Sequence, residues 1–180
     1  CWGEEQIAVL PAEGFLTAQW LCSQLSDLYL AGIGLSTFEI KKAYPALLSN
    51  GEKDQDSCGT KTLFDVLIAA YLLNPLKNDY ELEDIAKEQL DRMIRTRKQL
   101  FEKLSLKEAY AQRPEEFYEY AGTLAYVCYA AVPVLSQKLE EAGMQKLFDE
   151  IEMPVSRVLY EMEKEGVLVR RQELQAYGDA

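Results

Sequence analysis

The side chains that could do chemistry in this chain are limited first by the absence of histidine. Its 180 residues contain none, which excludes histidine triads, histidine general bases and histidine–metal sites. The four cysteines, Cys1, Cys22, Cys58 and Cys128, include no C-x-x-C pair, so reduced thiols in a cytoplasm are the expected state. Any catalysis would therefore use carboxylates, tyrosine, lysine or cysteine.

Carboxylates dominate the charge of the chain. Thirty Asp and Glu residues face 19 Lys and Arg residues, for a formal net charge of −11. Such a field repels a phosphate backbone unless basic residues cluster locally. Arg92, Arg95, Arg97 and Lys98 form one such cluster, which we interpret as a solvated helix face. We expect DNA binding by this chain alone to be weak or absent.

Two blocks of sequence carry a specific resemblance. The first reads LFDVLIAAYLLNP over residues 63–75 and continues as YELEDIA over 80–86. The second reads LFDEIEMP over 147–154 and continues as VLYEME over 158–163. In this order they resemble the 3′–5′ exonuclease domain of bacterial DNA polymerase I (family A) and its junction with the polymerase thumb. The resemblance implies an RNase H-like fold and, in active members, two metal ions, typically Mg²⁺, held by converging carboxylates.

The resemblance also identifies the positions of the former metal ligands. The Asp-x-Glu motif of the opening strand is not found near the start. That strand would precede Cys1, and it is either truncated away or already degenerate. The aspartate of the second motif corresponds to Glu39, which we interpret as a solvent-facing glutamate and a weak metal candidate. In the third motif the tyrosine corresponds to Tyr120 and the aspartate to Leu124. Leucine offers a metal no lone pair.

No shift of register within that helix restores the third motif. Residues 121–135 contain neither Asp nor Glu, and the next acidic family position corresponds to Tyr126. No catalytic residue is therefore predicted to be intact, and the metal site is predicted to be degenerate. We expect no metal or other cofactor in this chain, although Mg²⁺ serves the active members of the family.

The elements that must position these residues begin as alternating strands and helices. Thr37 and Asp65 are predicted N-caps of helices. The predicted strands are Gln6–Leu10, Ile33–Ser36 and Lys61–Phe64, and the predicted helices are Phe15–Ala31, Phe38–Ser49 and Val66–Leu73. This alternation predicts an α/β fold, with a sheet truncated at its N-terminal strand.

The C-terminal two-thirds of the chain is predicted to be mainly helical. Pro133 and Pro154 are expected to kink or restart the helices that contain them. The predicted helices are Glu81–Leu90, Asp91–Leu104, Pro114–Ala142 and Gln145–Lys164.

The resemblance divides the chain at residue 150. Residues 1–149 are interpreted as the exonuclease-like domain without its first strand, and residues 150–180 as the linker helix entering the thumb. The predicted partner is the polymerase domain of the same parent chain, which would also provide contact with DNA. The apolar run Leu124–Leu135 is too short to cross a bilayer, so we expect no membrane partner and a cytoplasmic protein.

These observations predict a proofreading-inactive exonuclease-like domain that supports DNA synthesis by its parent enzyme. The former active site is expected to be filled, with Leu124 against apolar side chains of Ile33–Ser36 or Phe38–Ser49. Two alternatives remain open. An active exonuclease would use Glu39 with ligands upstream of Cys1, and an unrelated acidic helical interaction module would lack the RNase H-like sheet order.

Overall fold

The computed structural model describes residues 1–3, 6–51, 63–77 and 79–179. A π-helical turn spans Phe148–Glu152. The helices are α1 (Ala18–Leu30), α2 (Ile40–Leu47), α3 (Val66–Leu73), α4 (Leu82–Leu90), α5 (Arg97–Phe101), α6 (Leu106–Gln112), α7 (Pro114–Glu141), α8 (Gln145–Leu147), α9 (Met153–Glu165) and α10 (Arg171–Gly178). The strands are β1 (Leu35–Thr37) and β2 (Leu63–Asp65).

The two strands form a small parallel sheet. Leu35 pairs with Leu63 and Thr37 pairs with Asp65, and α2 lies between the strands in the sequence. A parallel pair requires such a crossover connection. The predicted α/β class is confirmed, with a mainly helical remainder around a sheet of two strands in the described residues.

The prediction of a strand over Gln6–Leu10 is wrong. Trp2 and Gln6 form an isolated antiparallel bridge, and no ladder follows it in the described residues. The segment crosses α7 instead, where Ile7 lies 3.2 Å from the position that a Cβ on Gly122 would occupy. Only glycine permits this approach without a shift of the neighbour. With no strand alongside, the apolar residues of this segment pack on a helix.

Asp65 determines how both α2 and α3 begin. Its carboxylate accepts hydrogen bonds from the backbone N–H of Leu67 at 2.8 Å and of Ile68 at 3.4 Å, which confirms the predicted cap of α3. The same carboxylate accepts from the N–H of Ile40 at 2.7 Å and of Glu39 at 3.3 Å. The predicted Thr37 cap is wrong, because Thr37 lies in β1 and Glu39 is the N-cap residue of α2.

The helix predicted over Asp91–Leu104 is also wrong over most of its length. Asp91 adopts a left-handed conformation, with φ of 50°, that ends α4. Thr96 then forms a capping box with Gln99 and begins α5, and Glu102, with φ of 51°, ends it after five residues. These end signals outweigh the helix-forming composition of the stretch.

Helix α7 is the central element of the packing. It runs without interruption through Pro133 and packs on α3 and α4. Its buried side chains include Val127 and Leu135, which belong to the main core. None of the helices in the described part of the chain has both the length and the apolarity to cross a bilayer.

The restart predicted at Pro154 takes the form of the π-helical turn before it. Proline lacks an N–H and crowds the carbonyl four residues earlier, and a widened turn relieves both problems. Gly166, with φ of 75°, ends α9 as predicted. Helix α10 was not predicted.

Candidate active-site cleft

A cavity of about 950 Å³ opens between the N-terminal segment, α1, β1 and α7. The side chains predicted for the third motif, Tyr120 and Leu124, both lie in its wall. Most of its lining is apolar. Other lining residues are Trp2, Leu10, Leu25, Leu28, Ile33, Leu35, Phe38, Cys128 and Tyr129.

Leu124 lies where a ligand would be expected and contributes only hydrocarbon. It is half-buried, packs against the main core and shares the cleft wall with Leu35 and Phe38. Leu35 and Phe38 belong to the two segments that the sequence predicted to contact Leu124. The predicted filling of the site is not found, however, because the cavity remains open beside Leu124.

Tyr120 is held by a second, smaller core. Its ring meets Phe101 edge to face, with the centroids 5.5 Å apart. Burial raises the pKa of the Tyr120 phenol, the nearby charge of Glu83 raises it further, and Arg97 partly lowers it. The phenol therefore stays protonated near neutral pH and can donate a hydrogen bond into the cleft.

Glu39 lies apart from these two residues. It has φ of 61° at the start of α2, and its carboxylate forms an ion pair with Lys42. It lines a separate groove of about 460 Å³ between α2, α3 and α9, together with Val155 and Leu159. The structure therefore brings Tyr120 and Leu124 together and leaves Glu39 outside their cleft.

The acidic groups in the cleft are ones that the sequence analysis did not select. Glu81 and Glu83 both line it, on either side of the buried Leu82 at the start of α4. Glu83 lies in the first turn of α4, and its carboxylate accepts a hydrogen bond from the backbone N–H of Arg97 at 3.3 Å. The sequence shows the two glutamates on either side of Leu82, but only the fold places them beside Tyr120 and Leu124.

These carboxylates do not assemble into a metal-binding group. Among the described residues, no three His, Cys, Asp or Glu side chains are placed to hold one ion. Cys128, the thiol in the cleft wall, has its pKa raised to about 12 by burial, with a smaller contribution from the charge of Asp65. Such a thiol stays protonated and is a poor nucleophile.

Two arginines of the predicted basic cluster interact with other side chains of the fold. The Arg92 guanidinium lies over the Tyr126 ring, 4.9 Å from its centroid, and Arg95 forms a 2.7 Å ion pair with Glu119. Only Arg97 and Lys98 of the cluster lie on a helix, so the prediction of one helix face is wrong. The break at Asp91 places the other two arginines in the connection before α5.

The chain is similar to DNA polymerase I of several bacteria. It is 30% identical to that of Treponema pallidum (strain Nichols) over 115 residues, which are 63% of this chain and 11% of the relative. It is 28% identical to that of Bacillus subtilis (strain 168) over 116 residues, which are 64% and 13%. For Streptococcus pneumoniae serotype 4 (strain ATCC BAA-334 / TIGR4) the identity is 31% over 111 residues, which are 62% and 12%.

No family model matches the chain, and no solved structure does. The chain spans only a small part of the length of the curated relatives it matches. The resemblance carried by the two sequence blocks is confirmed at this level: the chain is similar to a segment of DNA polymerase I.

Proposed function

We propose that the chain is a proofreading-inactive 3′–5′ exonuclease-like domain of a DNA polymerase I. In this proposal residues 1–149 form the RNase H-like domain, and residues 150–180 are the linker helix entering the polymerase thumb. The domain supports DNA synthesis by the parent enzyme in the cytoplasm. The observation that carries the proposal is the cleft, where Leu124 lines the wall at the position that the resemblance assigns to a metal-binding aspartate.

The chemistry of the cleft supports inactivity. Two-metal hydrolysis needs several carboxylates that converge on a pair of cations, which activate water and stabilise the leaving oxygen. The cleft contains Glu81 and Glu83, and the third candidate, Glu39, lies in another groove paired with Lys42. This donor set does not fit the two Mg²⁺ ions of an active member.

The attachment of α9 supports the structural role. The Tyr44 hydroxyl lies 2.9 Å from the Ser156 hydroxyl, and the Tyr44 and Tyr160 rings have centroids 5.2 Å apart. Lys41 forms a 2.5 Å ion pair with Glu163 at the far end of the same contact. Because α9 is held at several points along its length, it can fix the orientation of the exonuclease-like domain relative to the polymerase domain of the parent enzyme.

A nuclease assay tests the proposal. The chain is incubated with a 3′-labelled single strand and Mg²⁺ or Mn²⁺, beside Glu39→Gln, Glu83→Gln and the exposed control Glu115→Gln. We expect no trimming by any of them. Metal-dependent trimming that disappears in Glu39→Gln or Glu83→Gln, but not in Glu115→Gln, would establish the active exonuclease instead.

A binding assay addresses the contact with DNA. We expect the isolated chain to bind single-stranded DNA more weakly than the roughly 10⁻⁴–10⁻⁶ M of non-specific binders, because its net charge of −11 opposes phosphate. Micromolar binding with a steep salt dependence would contradict this. The second alternative is tested by the strand order of the sheet. An experimental structure of the parent protein without an RNase H-like strand order would favour the unrelated acidic helical interaction module.

A further inference from the structure

Asparagine is followed by glycine at one place in the chain, Asn50–Gly51, just after α2 ends. Asparagine side chains deamidate when the backbone nitrogen of the next residue attacks their amide carbon, and glycine favours this attack because it has no side chain in the way. The chain's other asparagines are Asn74, which precedes a proline without an N–H, and Asn78, which precedes an aspartate. Asn50 is therefore the asparagine whose sequence context most favours deamidation.

The side-chain amide of Asn50 is held against α1. Its Nδ2 group donates to the Asp27 carboxylate at 2.8 Å, and to the Ser23 hydroxyl at 2.9 Å and backbone carbonyl at 3.1 Å. The backbone N–H of Asn50 also donates to the hydroxyl of the buried Ser26, at 3.2 Å. These bonds join the end of α2 to α1, on which α2 packs.

The nitrogen that would attack Asn50 is also hydrogen-bonded. The Gly51 backbone N–H donates to the Leu48 carbonyl at 3.2 Å. To react, the Asn50 side chain must turn away from α1, and the Gly51 nitrogen must give up this bond. The reaction therefore starts from a locally opened state, and the fraction of time that the state is open sets the rate.

We propose that Asn50 is a deamidation site, that its hydrogen bonds to α1 slow the reaction in the folded chain, and that the product weakens the contact between α1 and α2. The Gly51 nitrogen forms a bond to Cγ of Asn50. The proton of Gly51 passes through solvent to Nδ2, which leaves as ammonia. Water then opens the cyclic imide and leaves a carboxylate at position 50, on either a normal or an isomerised backbone. This inference goes beyond the proposed function and holds whether or not the cleft has nuclease activity.

The product cannot make the bonds that the amide makes. A carboxylate has no N–H to donate to the two acceptors on Ser23 and to Asp27, and its negative charge would face the Asp27 carboxylate at the position where the amide now donates to it. Helix α1 contributes Leu25 and Leu28 to the wall of the cleft. A weaker contact between α1 and α2 therefore also changes how firmly this wall is held.

Deamidation rates test whether the fold slows the reaction. The parent, Asp27→Ala and the exposed control Asp79→Ala are held in mildly alkaline buffer, with and without unfolding concentrations of urea, and the peptide containing Asn50 is followed by mass spectrometry. In native buffer we expect Asp27→Ala to react about fivefold faster than the parent, which corresponds to about 1 kcal/mol, and Asp79→Ala to match the parent. In urea the three chains should react equally, and faster than the native parent.

A substitution that mimics the product tests its effect on the fold. We expect Asn50→Asp to unfold at a lower urea concentration than the parent, whereas Asn74→Asp, which adds the same charge at another exposed asparagine, should not. Adding Asp27→Asn to Asn50→Asp should restore part of the loss, because the exchanged pair again matches an amide donor with a carboxylate acceptor. Circular dichroism checks that each variant keeps the helical content of the parent.

Four results would overturn the inference. Absence of deamidation at Asn50 even in urea would exclude the site. Equal rates in the native and the unfolded parent, or equal rates in native Asp27→Ala and Asp79→Ala, would show that the bonds to α1 do not slow the reaction. An unchanged urea midpoint for Asn50→Asp would show that the product leaves the contact between α1 and α2 intact.

Discussion

The surroundings of Asp65 and of Leu124 differ in their polarity and in their hydrogen bonding. At Asp65 a carboxylate that is only 1% exposed accepts bonds from four backbone N–H groups and begins two helices. At Leu124 the carboxylate expected from the resemblance is absent, and an apolar cavity of about 950 Å³ stands open. The first site is closed and fully bonded, and the second is open and has little to offer an ion.

The difference shows which acidic positions the fold needs. Removing Asp65 would leave buried backbone donors without acceptors, a cost that falls on folding itself. Leu124 packs against the core with no polar group to satisfy, so its position has no remaining requirement for charge. A carboxylate retained at Asp65, together with a leucine at position 124, supports the proposal of a domain retained for its shape.

Replacing Asp65 should reveal its structural role. We expect Asp65→Ala to lower the free energy of unfolding by about 2–4 kcal/mol, because caps of two helices are lost together. The exposed Asp79→Ala serves as the control and should stay within about 0.5 kcal/mol of the parent. Urea denaturation measures both. A loss of similar size in the two variants would remove the contrast with the cleft.

Replacing Leu124 with aspartate tests whether the cleft wall tolerates a charge. We expect Leu124→Asp to cost about 1–3 kcal/mol, since it places a half-buried carboxylate in an apolar wall without rebuilding other ligands. Leu124→Asn, of similar size and uncharged, separates the cost of charge from the cost of lost packing. Unchanged or increased stability of Leu124→Asp in a urea melt would indicate a more polar cleft and favour the active exonuclease.

A buried side-chain hydrogen bond also joins α2 to α9. Tyr44→Phe removes the hydroxyl that lies 2.9 Å from that of Ser156, and we expect a loss of about 1 kcal/mol. Tyr177→Phe, at a residue that is 86% exposed, should have no measurable effect. Thermal melts compare the two. Equal stability of both variants would mean that this hydrogen bond contributes nothing net.

The dependence of stability on pH should distinguish Asp65 from an exposed capping carboxylate. Burial raises the pKa of Asp65 above its usual 3.8, and its backbone hydrogen bonds lower it only in part. The pH-dependent part of its contribution to stability is therefore fully present below pH 3.8 and is lost as pH rises through the folded pKa. The stability advantage of the parent over Asp65→Asn should therefore shrink as pH rises from the acid side.

Glu108 is expected to show the opposite slope. Its hydrogen bonds with Ser105 lower the pKa of its carboxyl below 4.5, so its contribution is present above that pH and lost as pH falls through the folded pKa. The advantage of the parent over Glu108→Gln should grow as pH rises. Urea melts of the three proteins across the acid range measure both slopes. If both stability differences changed with pH in the same direction, the raised pKa of Asp65 would be contradicted.

The sequence by itself determined what depends on neighbouring residues. The apolar periodicity predicted α7 and α4, the aspartate after β2 predicted the cap of α3, and Gly166 predicted the end of α9. The absence of histidine, and of any acid over residues 121–135, was equally plain. Hydrogen bonds within a helical turn join residues three or four apart, so their signals stand in the sequence itself.

Only the tertiary structure decided which distant residues meet. It gave Asp65 a second helix to cap 25 residues away, separated Glu39 from Tyr120, and placed Glu83 in the cleft. Among the described residues, it also left Gln6–Leu10 without a strand to pair with. These outcomes depend on how the helices pack across one another and on which hydrogen-bond donors lie nearest to each acceptor. The local periodicity of a sequence contains no information about either.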